Sequence, residues 1–500
     1  MINTGALITI GIYLLVIAAV GVWAAIDQKR ARTGQKTENY YVGGRRLGPL
    51  VLIFTILASA ASAGTFIGGP GLVYHDGIAF LLMALFQVPT VFLTVGLLGK
   101  KYAILARKLN FYTFIDIFKQ RFESRTVTTM AGIGIVIFLG AYMVAQYAGG
   151  AHILHAVTGV PYSTLVVVFA ALVAVYTSFG GFMGASVNDT VQGIIMFVGG
   201  LILWVAVFAS LGTATPMNSH FAEKFPQLLT LPGGTGANIG TFISFALIFG
   251  LLVVSSPHVA IRAMSYRDSK TAHSAIAWSP IIMYVMTIGF SLMGLMARYF
   301  APALKNPDLA IPTIITQTVN GPLAGILLSA PLAAIMSTVS SMLLVVSGAV
   351  VRDIVRNLFV PKMTDQTSSR TSVGVSLVIG LATMVVALKP PEALELIVIF
   401  ALSGLGAFFT IPFFGALYWR RATAAGAFVS MLSGLIWYIV GQQWLPSLGA
   451  GMDPVVTALI VSAVLFVAVS LLTKRPPRHV IVKFWGTQAE IDKLEPKVGQ

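Results

Sequence analysis

A cluster of hydroxyl side chains lies in an otherwise apolar, helix-length stretch over residues 332–346. Ser337 and Thr338 are adjacent, and Ser340 and Ser341 follow one residue later. Serine and threonine in an apolar helix often bond back to carbonyls of their own helix, so one interpretation is helix–helix packing. The other is a cation site, because paired hydroxyls and nearby carbonyls supply the neutral oxygen ligands that small hard cations accept.

The composition places this stretch in a membrane. Of the 500 residues, 57% are hydrophobic and 10% are charged, and the mean hydropathy is +0.87. These values lie outside the range of soluble domains, and we predict an all-α polytopic membrane protein. Crossing about 30 Å of hydrocarbon takes roughly 20 helical residues. Thirteen apolar runs satisfy this, near residues 5–26, 50–74, 79–99, 127–155, 163–179, 190–212, 240–258, 275–297, 323–351, 372–388, 394–418, 422–441 and 455–473.

The basic residues predict an orientation. An odd number of spans puts the termini on opposite sides of the membrane, and cytoplasmic loops collect Lys and Arg. With the N-terminus outside and the C-terminus cytoplasmic, all but four of the 32 basic residues fall on the inner side of a bacterial-type inner membrane. The net charge of +15 then reflects topology, and no nucleic-acid partner is expected because the charges lie in short separate loops. The four exceptions are Lys224, Arg298, Lys305 and Lys389.

The second and seventh spans carry small, polar or proline residues where a plain span would carry Leu and Ile. These stretches are residues 58–71 and 253–258. The two spans are five helices apart, so the second copy would be inverted relative to the first. A pair of broken helices at matching places in inverted halves indicates the central binding site of a transporter. For either stretch alone, close packing through Ala, Gly and Ser is the alternative interpretation.

Other function classes lack their sequence signatures. A channel would show a glycine-rich filter motif or repeated filter loops, and we find neither. An enzyme would need a catalytic constellation, but the chain has no cysteine, no His/Asp/Glu cluster with metal spacing and no nucleophile motif. The sequence therefore favours a carrier that is not an enzyme and needs no organic cofactor, with an ion channel as the weaker alternative.

Five groups of residues carry a resemblance to a known family: Phe66-Ile67-Gly68; Tyr176 to Phe182 followed by Asn188 to Gly193; Pro257-His258; Ala334 to Ser341; and Gly415 to Arg421 leading to Gly426-Ala427. They resemble the sodium:solute symporters, whose inverted five-helix repeat was first seen in a bacterial leucine transporter. The resemblance runs nearly end to end. It implies one transmembrane domain over residues 1–473, with a first helix at 5–26, repeats at about 50–212 and 240–418, two extra helices at 422–473, and a short cytoplasmic tail at 474–500.

The resemblance also implies a sodium site between the second and ninth spans. Its ligands would be the backbone carbonyls of Ala58, Ala61 and Ala334 and the hydroxyls of Ser337 and Thr338. Any residue can supply a carbonyl, so the hydroxyl pair is the specific part. Neutral oxygens suit a monovalent ion, since no carboxylate has to be desolvated. We expect Na⁺ as the coupling ion.

Two ionisable residues lie close to the predicted spans. The resemblance makes Asp189 a stopping point for sodium on its way to the cytoplasm; the alternative is a carboxylate at a helix N-terminus, facing the positive end of the dipole. No carboxylate lies at mid-membrane depth, which disfavours proton coupling. His258 can relay a proton in principle, but beside Pro257 we interpret it as a hydrogen-bonded structural residue.

The solute is expected beside the ion, where the broken second span offers hydroxyls and free backbone amides at Ser62, Gly64 and Thr65. No Lys or Arg is predicted deep in a span, so helix N-termini and sodium would meet an anionic group. We expect alternating-access import of a small carboxylate-bearing solute. The family resemblance implies pantothenate as the first candidate, and another small organic solute (a monocarboxylate, an amino acid or a sugar acid) is the alternative. Oligomeric state stays open, and the lipid bilayer is the surrounding partner. Span position alone suggests the wall residues Gln87, Tyr142, Gln146, Phe245 and Phe249.

Overall fold

A computed structural model describes residues 4–30, 36–211, 215–234, 237–389, 394–444 and 451–487. Within these ranges the regular structure is helical, apart from one isolated bridge between Leu47 and Tyr266. The all-α class is therefore confirmed. The membrane helices are α1 Thr4–Arg30, α2 Pro49–Ala60, α3 Gly64–Asp76, α4 Ile78–Lys108, α5 Arg125–Thr158, α6 Tyr162–Leu211, α7 Ile239–Ser255, α8 Pro257–Met264, α9 Ser269–Phe300, α10 Pro322–Leu358, α11 Asp365–Ala387, α12 Leu394–Tyr418, α13 Ala424–Trp444 and α14 Pro454–Leu472.

Ten of these helices in the described residues are long and apolar enough to cross a membrane. Two bent pairs, α2 with α3 and α7 with α8, raise the number to 12. The predicted count of thirteen spans is not confirmed and stays a prediction. The difference lies in α6, which runs for 50 residues and covers two of the predicted spans.

α6 is folded back on itself at Gly181, where the backbone leaves the helical conformation at φ 60° and ψ −163°. The hydroxyl of Tyr176 donates to the Met336 carbonyl at 3.1 Å. Gln192 donates to the Tyr13 hydroxyl at 3.3 Å, and that hydroxyl contacts the Met336 sulfur at 3.5 Å. A straight helix would separate residues 176 and 192 by about 24 Å. Both arms of α6 therefore reach the same point of α10.

Both predicted helix breaks are confirmed. The axes of α2 and α3 differ by 67°, and those of α7 and α8 by 53°. In the first pair, Ala61 adopts an extended conformation at φ −86° and ψ 130°. In the second, Ser256 is extended at φ −68° and ψ 125°, directly before Pro257. Proline lacks a backbone N–H and pushes the preceding residue out of the helical region, so the sequence itself ends α7 there.

The hydroxyl-bearing helix α10 lies at the centre of the molecule. In its most apolar membrane-length window 94% of the residues are buried, against 22% for α11. It packs on α6, α1, α5 and α2. The outer helices carry exposed apolar side chains such as Leu15, Val378 and Val464. An apolar exterior of this kind is what a bilayer requires, and it leaves polar groups for the interior.

The described part of the C-terminal tail docks on the segment that precedes α5. A short helix, Arg478–Trp485, follows Pro477. Its His479 and Lys483 contact the carboxylate of Glu123 at 2.8 and 3.2 Å. Burial by itself would raise the pKa of Glu123, but the hydrogen bonds and charges of the two tail residues outweigh it, so this pKa lies below its ordinary value. Residues 488–500 of the predicted tail lie outside the described residues.

Candidate cation and solute site

The break after α2 redirects three backbone N–H groups from carbonyls to side chains. In an uninterrupted helix each N–H bonds the carbonyl four residues earlier. Here the amides of Ser62, Ala63 and Gly64 donate instead to Thr65 Oγ1 at 3.3 Å, Gln146 Oε1 at 3.0 Å and Ser62 Oγ at 3.1 Å, respectively. The carbonyls of residues 58, 59 and 60 thereby lose their helical donors. Buried carbonyls need other partners, and those of Ala58 and Ala60 find them in Ser337 and Gln87.

Five oxygen atoms from α2 and α10 converge at one end of this break. Ser337 Oγ lies 2.8 Å from the Ala58 carbonyl and 2.9 Å from that of Ala334. Thr338 Oγ1 lies 3.1 Å from the Ala61 carbonyl, 2.8 Å from Ala334 and 3.4 Å from Ala58. All five residues are fully buried. The structure thus brings all five predicted sodium ligands together.

The chemistry of this donor set suits a monovalent cation. Every oxygen is neutral, and each hydroxyl touches carbonyls of two different helices. A hydroxyl that donates to a carbonyl can turn its proton away and offer a lone pair together with that carbonyl. The same contacts also serve as helix–helix bonds between α2 and α10, so both interpretations drawn from the sequence describe this one cluster.

A small cavity, with about 30 Å³ of space for water-sized molecules, adjoins the other side of the same break. It lies between α2–α3, α4, α5, α7–α8, α9 and α12, which is the place where transporter folds with two broken helices bind solutes. Seven of the eight predicted solute-site residues line it. These are Ser62, Gly64, Thr65, Gln87, Tyr142, Phe245 and Phe249.

Hydrogen bonds fix the polar part of the cavity wall. Tyr142 donates its hydroxyl to Ser62 Oγ at 2.9 Å. Thr65 Oγ1 lies 3.1 Å from Gln87 Oε1, and Gln87 Nε2 reaches the freed carbonyl of Ala60 at 3.0 Å. The broken backbone and the side chains around it therefore form one connected network. A ligand that bonds Ser62 or Thr65 would act directly on the conformation of the break.

Aromatic rings form another part of the wall. The rings of Phe245 and Phe249 are stacked with centroids 5.4 Å apart, and Phe80 meets Phe245 edge-on at 5.1 Å. Such rings supply a large apolar surface with a fixed shape. The cavity thus suits a small solute that combines a polar group with an apolar portion.

Gln146 is not among the described residues that line this cavity. Its side chain is fully buried and holds the amide of Ala63. Gln146 therefore acts behind the wall, where it keeps the second span broken. Span position placed it on α5 correctly but gave no information on which face of that helix it occupies.

Arg262 is a basic residue that is buried in the protein, which the prediction of no Lys or Arg deep in a span did not foresee. We had assigned it to an inner loop, but it lies in α8 with 1% of its side chain exposed and forms a 2.9 Å ion pair with Asp189. Its guanidinium also donates to Ser341 Oγ and to the His258 carbonyl. Thr55 bonds the same carboxylate oxygen at 2.6 Å. A buried charge needs this kind of paired and hydrogen-bonded setting.

Asp189 does not lie at a helix N-terminus. It is eight residues beyond the break at Gly181, inside the second arm of α6, and it is fully buried. The dipole interpretation is therefore wrong. A chain of hydrogen bonds joins Asp189 to the cation cluster. Arg262, its ion-pair partner, donates to the Ser341 hydroxyl, and that hydroxyl donates to the carbonyl of Ser337 at 2.8 Å.

Sequence reasoning did not assign four polar or aromatic wall residues, namely Phe80, His258, Thr287 and Ser291. Thr287 and Ser291 are four residues apart in α9 and so share one face of that helix. A polar pair with this spacing in an apolar span predicts a polar helix face, and it could have been recognised in the sequence. His258 follows Pro257 at the second break. That position is as typical of a residue that lines a cavity as of a hydrogen-bonded structural residue.

Comparison with known proteins gives consistent results. A sodium/pantothenate symporter of Escherichia coli (strain K12) is 36% identical over 461 residues, which is 91% of this chain and 94% of that protein. The sodium/pantothenate symporter of Haemophilus influenzae is 33% identical over 88% of this chain and 91% of its own length. An osmoregulated proline transporter of Bacillus subtilis is 31% identical over 94% of this chain and 96% of its own length.

Among solved structures, an outward-open, substrate-bound Na⁺-coupled sialic acid symporter matches 95% of this chain and 99% of its own, with a TM-score of 0.77 at 18% identity. A closed nucleobase-cation-symport-1 family transporter matches with a TM-score of 0.56 at 15% identity. Both share the fold. The sodium:solute symporter family pattern matches residues 40–434. The chain therefore belongs to the sodium:solute symporter family and is a multi-pass inner-membrane carrier that couples a small solute to sodium, not an enzyme.

Proposed function

We propose that this protein imports pantothenate together with sodium. The observation that carries the proposal is that one helix break serves two sites. Ala58 and Ala61 face the oxygen cluster on α10, whereas Ala60, Ser62 and Thr65 belong to the cavity network. The two relatives named as sodium/pantothenate symporters cover about nine-tenths of the chain, which supports pantothenate as the solute.

The proposed sodium ligands are the carbonyl oxygens of Ala58, Ala61 and Ala334 and the hydroxyls of Ser337 and Thr338. Sodium bound there would draw Ala58 and Ala61 toward α10 and so fix the conformation of the break. The solute would then meet Ser62 and its neighbours already in place. Because coupling free energy is reciprocal, the solute must tighten sodium binding by the same factor.

Pantothenate has a carboxylate at one end and a branched apolar body with hydroxyls at the other. No Lys, Arg, Asp or Glu is among the described residues that line the cavity. We place the carboxylate at the α2–α3 break, near the N-terminus of α3 and the sodium ion, where the field favours negative charge. The branched body then lies against the rings of Phe245 and Phe249.

Release to the cytoplasm would follow the contacts that lead away from the cluster. Asp189 is proposed as a stopping point for sodium, as expected from the family resemblance. In the present structure its carboxylate is held by Arg262, so this ion pair has to loosen before sodium can reach it. We retain the outside N-terminus, the cytoplasmic C-terminus and the repeats at about 50–212 and 240–418 as parts of the proposal.

Uptake by purified protein in liposomes tests the substrate directly. With an inward sodium gradient, labelled pantothenate should accumulate saturably, exchange with unlabelled pantothenate in counterflow, and lose accumulation when sodium is equal on both sides. Labelled proline is the comparison solute, because the Bacillus subtilis relative is named a proline transporter. Sodium-driven accumulation of proline without pantothenate would overturn the proposed substrate but leave sodium coupling intact.

A further inference from the structure

His258 is a buried polar residue in the cavity wall whose role is not explained by the fold. It lies in α8, directly after the break at Pro257, with 1% of its surface exposed. It lines the same cavity as Ser62 and Phe245. The ring of Tyr142 packs against it edge-on, with centroids 5.8 Å apart. The imidazole is therefore held in one orientation beside the space that the solute would fill.

The imidazole of His258 lies close to the backbone of Ser59. The Ser59 carbonyl is the free group there, because the amide that would bond it in a helix, that of Ala63, donates to Gln146. Within the described residues Nδ1 of His258 has no hydrogen-bond partner. In a neutral imidazole one nitrogen donates and the other accepts, so the ring can pair with a hydroxyl or an amide N–H group.

Thr287 supplies a second unused group on the same wall. Its hydroxyl is buried and has no partner among the residues that the structure describes. By contrast, Thr94 and Thr190 bond the carbonyls four residues earlier, those of Thr90 at 2.7 Å and Ser186 at 2.8 Å. A buried polar atom without a hydrogen-bond partner is destabilising. Two such atoms on one cavity wall therefore indicate that a bound ligand supplies their hydrogen bonds.

We propose that His258 Nδ1 and Thr287 Oγ1 form a second polar subsite, which accepts a hydrogen bond from a hydroxyl or amide N–H group of the solute. This inference rests on the proposed function only in taking the cavity as the solute site. It restricts the solute class to carboxylates that carry a separate hydrogen-bond donor. A carboxylate without such a donor would leave both wall groups unpaired and bind more weakly.

Paired substitutions separate recognition from structure. His258→Gln keeps a buried polar side chain but has no nitrogen in the place of Nδ1. Thr287→Val keeps the shape of the side chain and removes the hydroxyl. Thr94→Val is the matched control, because it removes a buried threonine hydroxyl that bonds only its own helix. Accumulation of labelled solute that still requires the sodium gradient in each variant shows that the protein is folded and that the cation site is functional.

Each unlabelled compound competes with labelled pantothenate for uptake. The readout is the preference ratio, the concentration of an analogue that halves labelled uptake divided by the concentration of unlabelled pantothenate that does so. The competitors are pantothenate and three analogues, two that each lack one hydroxyl and one that is methylated on the amide nitrogen. We expect wild-type protein to disfavour at least one analogue about tenfold. His258→Gln and Thr287→Val should bring that ratio close to one, while Thr94→Val retains it. A ratio retained in both cavity variants, or the absence of any preference in wild-type protein, would overturn the subsite.

Failure of the substrate proposal is distinguishable from failure of the subsite. If wild-type protein does not accumulate pantothenate, the same ratio is measured on solute pairs that differ by one hydroxyl, lactate against propionate and hydroxyproline against proline. A preference for the hydroxylated member that disappears in His258→Gln supports the subsite for another solute. Equal competition by both members of each pair in wild-type protein contradicts it.

Discussion

Buried hydroxyl groups in this chain fall into two kinds that the sequence cannot distinguish. Thr94 and Ser244 bond carbonyls of their own helix four residues earlier. Ser337 and Thr338 bond the Ala334 carbonyl three and four residues earlier, but they also reach the carbonyls of Ala58 and Ala61 at the end of α2. The residue types are identical, and only the break in α2 leaves acceptors for the second kind. The sequence therefore predicted the cluster but left packing and cation binding open.

The ion pair of Asp189 and Arg262 gives a prediction on single residues. Removing one member leaves the other charged and buried, so Asp189→Leu should lower the free energy of unfolding by about 3–5 kcal/mol. Combining it with Arg262→Met should restore part of that loss. Thermal unfolding of purified protein in detergent measures both effects, and simple additivity of the two single losses would contradict the pairing.

An exposed ion pair supplies the control for that experiment. The side chains of Arg267 and Asp268 lie 2.9 Å apart but are 56% and 48% exposed. Solvent screens such pairs, and Arg267→Ala should change the free energy of unfolding by less than about 1 kcal/mol.

Helix α6 shows that apolar patterns predict where helices lie better than they predict which side chains meet inside the protein. The two apolar runs predicted a pair of spans, and Gly181 joins two helical arms where those runs meet. The assignment of Arg262 to a loop was wrong for the opposite reason. The apolar run of the seventh span ends at His258, yet α8 continues to Met264. Hydropathy registers contact with lipid, whereas the guanidinium is buried by protein partners that no local pattern reveals.

The fold-back in α6 predicts a strict requirement for glycine at position 181. Its φ of 60° with ψ −163° is open almost only to glycine, and a Cβ there would lie 2.9 Å from the ring of Tyr40. Gly181→Ala should cost about 1–3 kcal/mol in thermal unfolding. Gly140→Ala in α5 is the control, since a Cβ at Gly140 meets nothing within 4 Å. Equal stability of the two variants would argue against the strained turn.

The tail helix should undock in acid. Because the folded pKa of Glu123 is depressed, its contribution to docking is complete above about pH 4.3 and is lost as the pH falls through the lower folded value. The chain has no cysteine, so Arg478→Cys allows a single spin label on the tail. We expect label mobility to rise in this acidic range. Glu123→Gln should make it high at every pH, and a pH-independent, immobile label in both proteins would contradict the contact.

At the scale of the whole molecule, the predicted orientation has a direct test. Lys305 is exposed between α9 and α10 and is predicted outside, whereas Arg478 is exposed in the tail and is predicted inside. In right-side-out vesicles, a membrane-impermeant maleimide should label Lys305→Cys at once and Arg478→Cys only after permeabilisation. The reverse pattern would invert the topology, and labelling of both in intact vesicles would contradict an odd number of spans.

The central position of α10 connects the parts of the proposed cycle. It contacts the break in α2 through Ser337 and Thr338, both arms of α6 around Met336, and Arg262 through Ser341. Sodium bound between α2 and α10 would therefore bias the solute cavity on one side and the buried ion pair on the other. Differential contacts of this kind are what coupling between two ligands requires.

Sodium titration of purified protein, followed by solute uptake at fixed solute concentration, tests this account most directly. Ser337→Ala and Thr338→Ala should each raise the half-saturating sodium concentration about tenfold, equivalent to about 1.4 kcal/mol, because each removes one of five ligands. Ser329→Ala is the matched control on α10, since Ser329 bonds only the carbonyl of Gly325 at 2.8 Å. Sodium curves of both cluster variants that coincide with those of the control would contradict the site.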